Sequence, residues 1–348
     1  MDASRNDKVL VTGGAGFLGS VLTRLLLADG YRVCVLDDLL YGGAGLLGVW
    51  SEPGFDFVRG DVHDRKMIED LLADVDAVVH LAALDSEIPC TWRPTLAQTV
   101  NDASLNLLEA CRSSGVFRFV FASTCSNYAE MKNTAYYVDE RSELRPASPY
   151  AEAMAAVEQA VLDPAATRDL CATVLRFASL YGVSPCMRFD LTVNQFTMKM
   201  LTRGHLVVFG EQTWQPYIHV ADAASAIKFV LERPAEAVES EVYNVGSTDQ
   251  NFRREQIVQL IRQSHAPEAI IETVHKDDDP AGCRVSFAKI KERLAFEPDR
   301  TIEDGIAEVA QLISQGVVTD FDNPYYRNSI SFLADGMEAF QRSCDAYI

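Results

Sequence analysis

Val9-Leu10-Val11-Thr12-Gly13-Gly14-Ala15-Gly16-Phe17-Leu18-Gly19 is the stretch on which the reading of this chain turns. It opens on an unbroken apolar run, residues 8–12, of the length of a buried strand. From residue 17 to 28 apolar side chains recur at helical spacing, with Leu18, Val21, Leu22, Leu25 and Leu26 on one face. Gly30 is placed to end that helix. Between the two lie Gly13, Gly16 and Gly19, three residues apart. The first two let the backbone turn and approach a pyrophosphate, and the third lets helix and strand pack closely. The pyrophosphate then rests on the positive end of the helix, against Phe17 and Leu18.

Working outward, residues 32–36 form the next apolar run, and Asp37 ends it, 18 positions after Gly19. A carboxylate there, with Asp38 beside it, accepts hydrogen bonds from ribose hydroxyls and repels a 2′-phosphate, which favours NAD over NADP. Asp61, in Gly60-Asp61-Val62, ends a third run and is placed either to bond an adenine amino group or to cap a helix. Further apolar runs at 55–58, 77–81, 117–122 and 172–176 are separated by turns or helical patterns. That alternation implies parallel strands with crossovers, buried on both faces. Beyond residue 176 the runs shorten (206–209, 217–220 and 241–245, with a helical pattern at 221–231). The expected class is α/β: a Rossmann-like doubly wound parallel sheet with a smaller, interleaved C-terminal α/β substrate lobe. The expected division is 6–178 for the NAD-binding domain, with 215–248 returning to it, and 179–340 for the substrate lobe.

The 348 residues suffice for a large core, with 48% hydrophobic and 23% charged residues. The formal net charge of −19 disfavours nucleic acid and anionic membranes as partners. No apolar run has the length of a membrane span, and residues 1–7 lack an apolar signal region, so a cytoplasmic location is expected. The eight cysteines form no CxxC pair and read as reduced, packed thiols. The six histidines show no metal-ligand spacing, and no metal is expected.

With the glycine loop go Asp37-Asp38-Leu39, Gly60-Asp61, His80-Leu81-Ala82-Ala83, Asn101, Ala122-Ser123-Thr124, Ser148-Pro149-Tyr150, Leu175-Arg176-Phe177, Tyr181-Gly182, Tyr217-Ile218-His219-Val220 with Asp222, Tyr243-Asn244-Val245-Gly246 and Arg284-Val285-Ser286-Phe287. In this order they resemble the extended short-chain dehydrogenase/reductase family, the NAD-dependent sugar-nucleotide epimerases and dehydratases, over nearly the whole chain. The resemblance implies an NAD site in the N-terminal domain. Its lining would include Val62, Leu81, Ala82, Ala83, Asn101, Ala122, Ser123, Tyr150 and Phe177. It also implies a homodimer built on the helix at 98–112 and the one following Tyr150.

The resemblance assigns acid–base work to a Tyr-x-x-x-Lys pair. Here Tyr150 is present and Met154 stands at the lysine position. One helical turn puts both on the same face, and Met supplies no cation. An unperturbed phenol titrates near pH 10, so only about one molecule in 1000 is ionised at pH 7, a deficit of roughly 4 kcal/mol. The helix start can recover ~1 kcal/mol of it. Thr124 matches the family's hydrogen-bond partner for the reacting oxygen; otherwise it is a strand-end hydroxyl bonded to backbone. Cys125 and Ser126 follow where sugar 4,6-dehydratases carry Asp-Glu, which argues against that dehydratase mechanism. Cys125 is either an acid or an inert buried thiol.

In the substrate lobe, Gln215 and Ala281 stand where the family places diphosphate-clamping arginines, and Ser179 where many epimerases have asparagine. Ser179, Asn194, Gln215 and Arg284 are the expected substrate contacts. Arg188, Arg203 and Arg284 are candidates for an anionic group or for surface salt bridges. The leading expectation is an NAD-dependent epimerase-like enzyme acting on a sugar nucleotide or related sugar. The alternatives are different chemistry on a nucleoside, sugar phosphate or polyol lacking a diphosphate, or a non-catalytic NAD-binding protein.

Overall fold

A computed structural model describes residues 7–82, 94–128, 135–165, 167, 169–275 and 282–327. Seven parallel strands form the main sheet: β1 (Lys8–Thr12), β2 (Arg32–Asp37), β3 (Phe55–Arg59), β4 (Ala77–His80), β5 (Arg118–Thr124), β6 (Cys171–Phe177) and β10 (Glu241–Val245). Their spatial order is β10-β6-β5-β4-β1-β2-β3. Val9 pairs with Val33 on one side of β1 and with Ala77 on the other. The order therefore reverses at β1, and the crevice outside its carboxyl end is where such sheets bind ligands.

Alternation along β1 feeds two cores. Val9 and Val11 face α1 (Phe17–Ala28) and α6 (Val220–Leu231), in a cluster with Leu22, Leu26, Ala223 and Ile227. Leu10 faces α2 (Arg65–Leu71), α3 (Pro94–Ser114) and α4 (Pro149–Leu162), in a cluster with Ile68, Leu107, Cys111, Met154 and Val157. A strand covered on both faces has no polar side to show, which is why β1 reads as a continuous apolar run. Trimming Leu22 to Ala would cost about 2–5 kcal/mol.

The second lobe starts where β6 hands its chain, after Ala178, to β7 (Ser179–Tyr181). β7 lies parallel to β9 (Trp214–His219), and β9 lies antiparallel to β11 (Asn251–Arg253). A two-stranded sheet joins β8 (His205–Phe209) to β12 (Ile270–Val274). These pack with α5 (Thr192–Arg203), α8 (Arg254–Ser264) and α10 (Ile302–Ser314) around Tyr181, Phe196, Leu206, Ile257 and Ile306. The short helices α7 (Ala235–Val238) and α9 (Ala288–Leu294) flank β10. The return to the main sheet begins after β9, which itself belongs to the small sheet: α6 packs on α1, and β10 pairs with β6. Cys34, Cys111, Cys125, Cys171, Cys186 and Cys283 are buried free thiols. Among the described residues, no helix is long and apolar enough to cross a membrane.

Candidate active site

The glycine loop is shaped by contacts that a side chain would break. Gly13 has φ +72° and donates its N–H to the Leu36 carbonyl at 2.9 Å. A Cβ on it would sit 2.9 Å from the Ala82 nitrogen, and a Cβ on Gly19 would sit 2.3 Å from the Gly13 carbonyl oxygen. Gly16 caps α1 with no side-chain acceptor, so the first N–H groups, those of Phe17 and Leu18 among them, are left for an anion. Asp37 closes the loop from β2: its two oxygens accept the N–H groups of Ala15 (3.0 Å) and Leu39 (2.9 Å). Burial outweighs those bonds and pushes its carboxyl up to about 6. Asp38 accepts from Leu40 N–H at 2.9 Å and is also raised by burial.

Asp61 is not a helix cap. Asp64 fills that role for α2, accepting from Met67 N–H at 3.0 Å. Asp61 Oδ1 instead accepts from the His63 backbone N–H at 2.9 Å and lies 2.6 Å from His63 Nδ1. Burial raises the Asp61 carboxyl, but these contacts with His63 outweigh it and hold the group below the usual carboxylate range. Val62 packs at the edge of the Leu10 cluster. Leu81 and Ala82 extend β4, their N–H groups donating to the Thr12 carbonyl (3.1 Å) and Thr12 Oγ1 (3.3 Å). Ala83 lies outside the described residues. Asn101, on α3, keeps a buried side-chain oxygen with no hydrogen-bond partner. The glycine cradle, the uncapped start of α1, the carboxylates of Asp37 and Asp61 and this orphaned oxygen together fit a dinucleotide.

Thr12, Asp37, His80, Thr124 and Phe177 end β1, β2, β4, β5 and β6, so the expected cofactor and catalytic positions share one edge of the sheet. Thr124 pairs with Phe177 across the β5–β6 ladder, beside Ala122. Its Oγ1 accepts from Ser126 N–H at 3.1 Å, which leaves its own hydroxyl proton to donate. Pro149 starts α4, and Ser148 caps it through Ala151 N–H at 3.2 Å. Tyr150 follows, 9% exposed. Met154, one turn on, is 1% exposed and shares an apolar cluster with Tyr150, Leu107, Leu108 and Val157.

Two neighbouring side chains are turned inward, and of the two alternatives for Cys125 the buried thiol is the one found. The Ser123 hydroxyl is committed to the interior, bonded to the Glu158 carboxylate and accepting from Asn127 Nδ2 at 3.2 Å. Cys125 is buried, its Sγ donates to the Arg176 carbonyl at 3.3 Å, and burial pushes the thiol well above its ordinary value. A thiol held this way stays protonated and inward.

Behind these residues lies a network that the sequence reading missed. Arg176 binds Glu158 through Nε (3.0 Å) and a terminal nitrogen (2.6 Å), and donates to Tyr128 Oη at 2.8 Å. Tyr128 donates to Asn244 at 2.7 Å, and Asn127 donates to Glu158 at 2.7 Å. The Glu158 and Arg176 side chains are only 1% and 5% exposed, so removing either partner would cost about 3–5 kcal/mol. The available signal was a glutamate four residues past Met154 in an apolar stripe, facing an arginine in an apolar strand.

In the second lobe the structure brings Ser179 and Gln215 together. Gln215 Nε2 donates to Ser179 Oγ, and Tyr217 Oη donates to Gln215 Oε1 at 3.1 Å. Asn194 is a correction: it is fully buried and its amide is used by backbone, accepting from Gly182 N–H (3.0 Å) and donating to the carbonyls of Gly182 (3.0 Å) and Arg188 (2.9 Å). Both amide protons are spent and the side chain is fully buried, so Asn194 holds backbone and does not face a substrate. Arg188 forks onto Asp190 (2.8 Å) and Arg203 pairs with Asp322 (2.9 Å), the salt-bridged alternative for both. Arg284 stacks between the rings of Tyr137 (4.1 Å) and Trp214 (4.7 Å), and Arg253 lies over the same Trp214 ring at 4.9 Å. Ala281 lies outside the described residues.

A family model described as the NAD dependent epimerase/dehydratase family matches residues 9–246, which include every strand of the main sheet but the first residue of β1. The chain belongs to that family. NAD is accordingly its cofactor, and it is an enzyme of the epimerase/dehydratase kind. It is 31% identical over 319 residues to a dTDP-glucose 4,6-dehydratase of Streptomyces niveus, covering 87% of this chain and 92% of the relative. It is 30% identical over 314 residues to a UDP-glucose 4-epimerase of Streptomyces lividans, covering 85% and 92%. The dTDP-glucose 4,6-dehydratase DesIV of Streptomyces venezuelae, solved with NAD bound, superposes with a TM-score of 0.79 at 27% identity, covering 89% of this chain and 97% of that one.

Proposed function

We propose that this family member is an epimerase acting on a sugar nucleotide or related sugar, a cytoplasmic homodimer with an atypical Tyr-x-x-x-Met site. Held by the Gly13–Gly19 loop, Asp37, Asp61 and Asn101, NAD supplies a hydride acceptor that returns what it takes. The Tyr150 phenolate takes the proton of the reacting hydroxyl, becoming a phenol, and the phenol later gives the proton back. Thr124 donates its free hydroxyl proton to the reacting oxygen. Met154 keeps the wall behind Tyr150 apolar, and the start of α4 favours the anionic form of the phenol. Epimerisation is favoured over 4,6-dehydration because positions 125 and 126 hold a buried thiol and a serine, with no carboxyl to protonate a leaving hydroxyl. The observation that carries the reading is the placement of Tyr150 at the start of α4, while Thr124 ends β5 on the same sheet edge as the nucleotide loop.

Tyr150→Phe tests it. The ring is preserved and the oxygen lost, so interconversion of epimers, followed by NMR on candidate sugar nucleotides, falls about 10²- to 10⁴-fold. Near-native turnover in that variant removes Tyr150 from the chemistry. A second reading, a substrate without a diphosphate, is favoured by the neutral Ser179–Gln215–Tyr217 cluster in place of an arginine clamp.

A further inference from the structure

His63 plays no part in the reading above, yet both its ring nitrogens are engaged. Nδ1 lies 2.6 Å from Asp61 Oδ1, and Nε2 lies 3.0 Å from the Thr99 carbonyl on α3. Both partners are acceptors. A neutral imidazole carries one N–H and can satisfy only one of them, whereas an imidazolium donates to both. The surroundings agree in sign. Asp61 faces the ring from the β3–α2 turn, and Asp102 faces it from α3, where it accepts from Gln98 at 2.8 Å. Asp38 stands beyond Asp61 at the end of β2, with Arg59 beside it. The two contacts with His63 both fall on Asp61 Oδ1, which leaves Oδ2 to meet an approaching amino group.

We propose that His63 is a positioning residue held as a cation, which clamps Asp61 to the first turns of α3 and so orients the carboxylate that reads the adenine end of NAD. The hydrogen bond to Asp61 and the neighbouring charge raise the ring above its ordinary 6.5, outweighing partial burial. Since the folded value is raised, the clamp is complete at low pH and is lost as pH rises through the folded value. One of the two bonds then breaks, and adenine recognition weakens. The inference rests on the reading of Asp61 as the adenine-binding carboxylate.

Two measurements on the full chain separate the clamp from that reading. The first is an NMR titration of the His63 ring in the NAD-free protein, assigned by comparison with His63→Gln. The ring titrates above 6.5 in the native chain and moves back down in Asp61→Asn. A native ring titrating at or below 6.5 overturns the clamp, whatever NAD does. The second is calorimetry with NAD⁺ at pH 6.5 and pH 9. The native Kd weakens roughly 2- to 10-fold across that span, and His63→Gln shows no such change. If the ring titrates high but the native Kd is flat, or His63→Gln keeps the native pH response, the clamp stands and its role toward adenine is refuted.

Discussion

At the scale of single residues, Asp37 is the most informative side chain. Its two oxygens hold the glycine loop through Ala15 and the next turn through Leu39, yet burial lifts its carboxyl to about 6 against an ordinary 3.8. A raised folded value means that the folded chain holds this proton longer than the unfolded one. Asp37 therefore contributes negatively to stability as pH climbs from about 4 to about 6. Ribose hydroxyls donating to the carboxylate offset that penalty, and a 2′-phosphate adds to it. NAD should accordingly bind more weakly as pH falls through about 6, the opposite end of the scale from His63. Asp37→Ala should narrow the gap between NAD and NADP by roughly 10-fold or more. Titration calorimetry with both dinucleotides decides the point; tighter NADP in the native chain contradicts it.

At the scale of elements, α4 brings together the apolar wall of the site and its buried charge. Tyr150, Met154 and Glu158 stand four residues apart on its inward face, the last paired to Arg176. A lysine at 154 would place an ammonium among Leu107, Leu108 and Val157. Met154→Lys should lower the melting temperature of the NAD-free protein, because an unpaired charge there is desolvated. In turnover assays the same variant should move the alkaline rise in activity to lower pH, because a cation beside the phenol favours its anionic form. An unchanged pH profile in a folded Met154→Lys protein would show that position 154 does not face the phenol. The backbone of this arrangement was legible because strand and helix periods were clean. β1, α1 and β10 were read at their observed bounds, and the other main-sheet strands to within a residue or two. The small lobe was less legible. β7 and β11 have three residues each, too few to show a period, and β12 is largely exposed. In the site, glycines and strand-end carboxylates announce themselves by position. Asn194 and the Glu158–Arg176 network do not, since only the fold reveals whether a buried polar group meets backbone, a partner or a ligand.

At the scale of the whole molecule, the two lobes are one packed body. Phe17, the first residue of α1, lies in a cluster with Phe189, Met198, Val220 and Val309, and Ser184 donates to the Phe17 carbonyl at 2.7 Å. Asp222 holds Arg300 at 2.7 Å, and His219 meets Glu308 at 2.9 Å. The small sheet that carries Ser179 and Gln215 is thus fixed relative to the nucleotide loop, and what it presents to a substrate is set by side chains. It presents a neutral relay, Tyr217 to Gln215 to Ser179. UDP and dTDP should therefore bind the native chain weakly. Gln215→Arg supplies one charge-assisted contact of about 1.5–3 kcal/mol, or roughly 10- to 100-fold in affinity. The gain is reduced by what the change breaks, because the almost fully buried Tyr217 hydroxyl would lose Gln215 Oε1 and keep only Thr192 as a partner. Losing one such hydrogen bond costs about 0.5–1.5 kcal/mol, so a lower melting temperature should accompany the tighter diphosphate binding. Micromolar binding of UDP or dTDP by the native chain would sink this reading, because the neutral relay would then be no obstacle to a diphosphate.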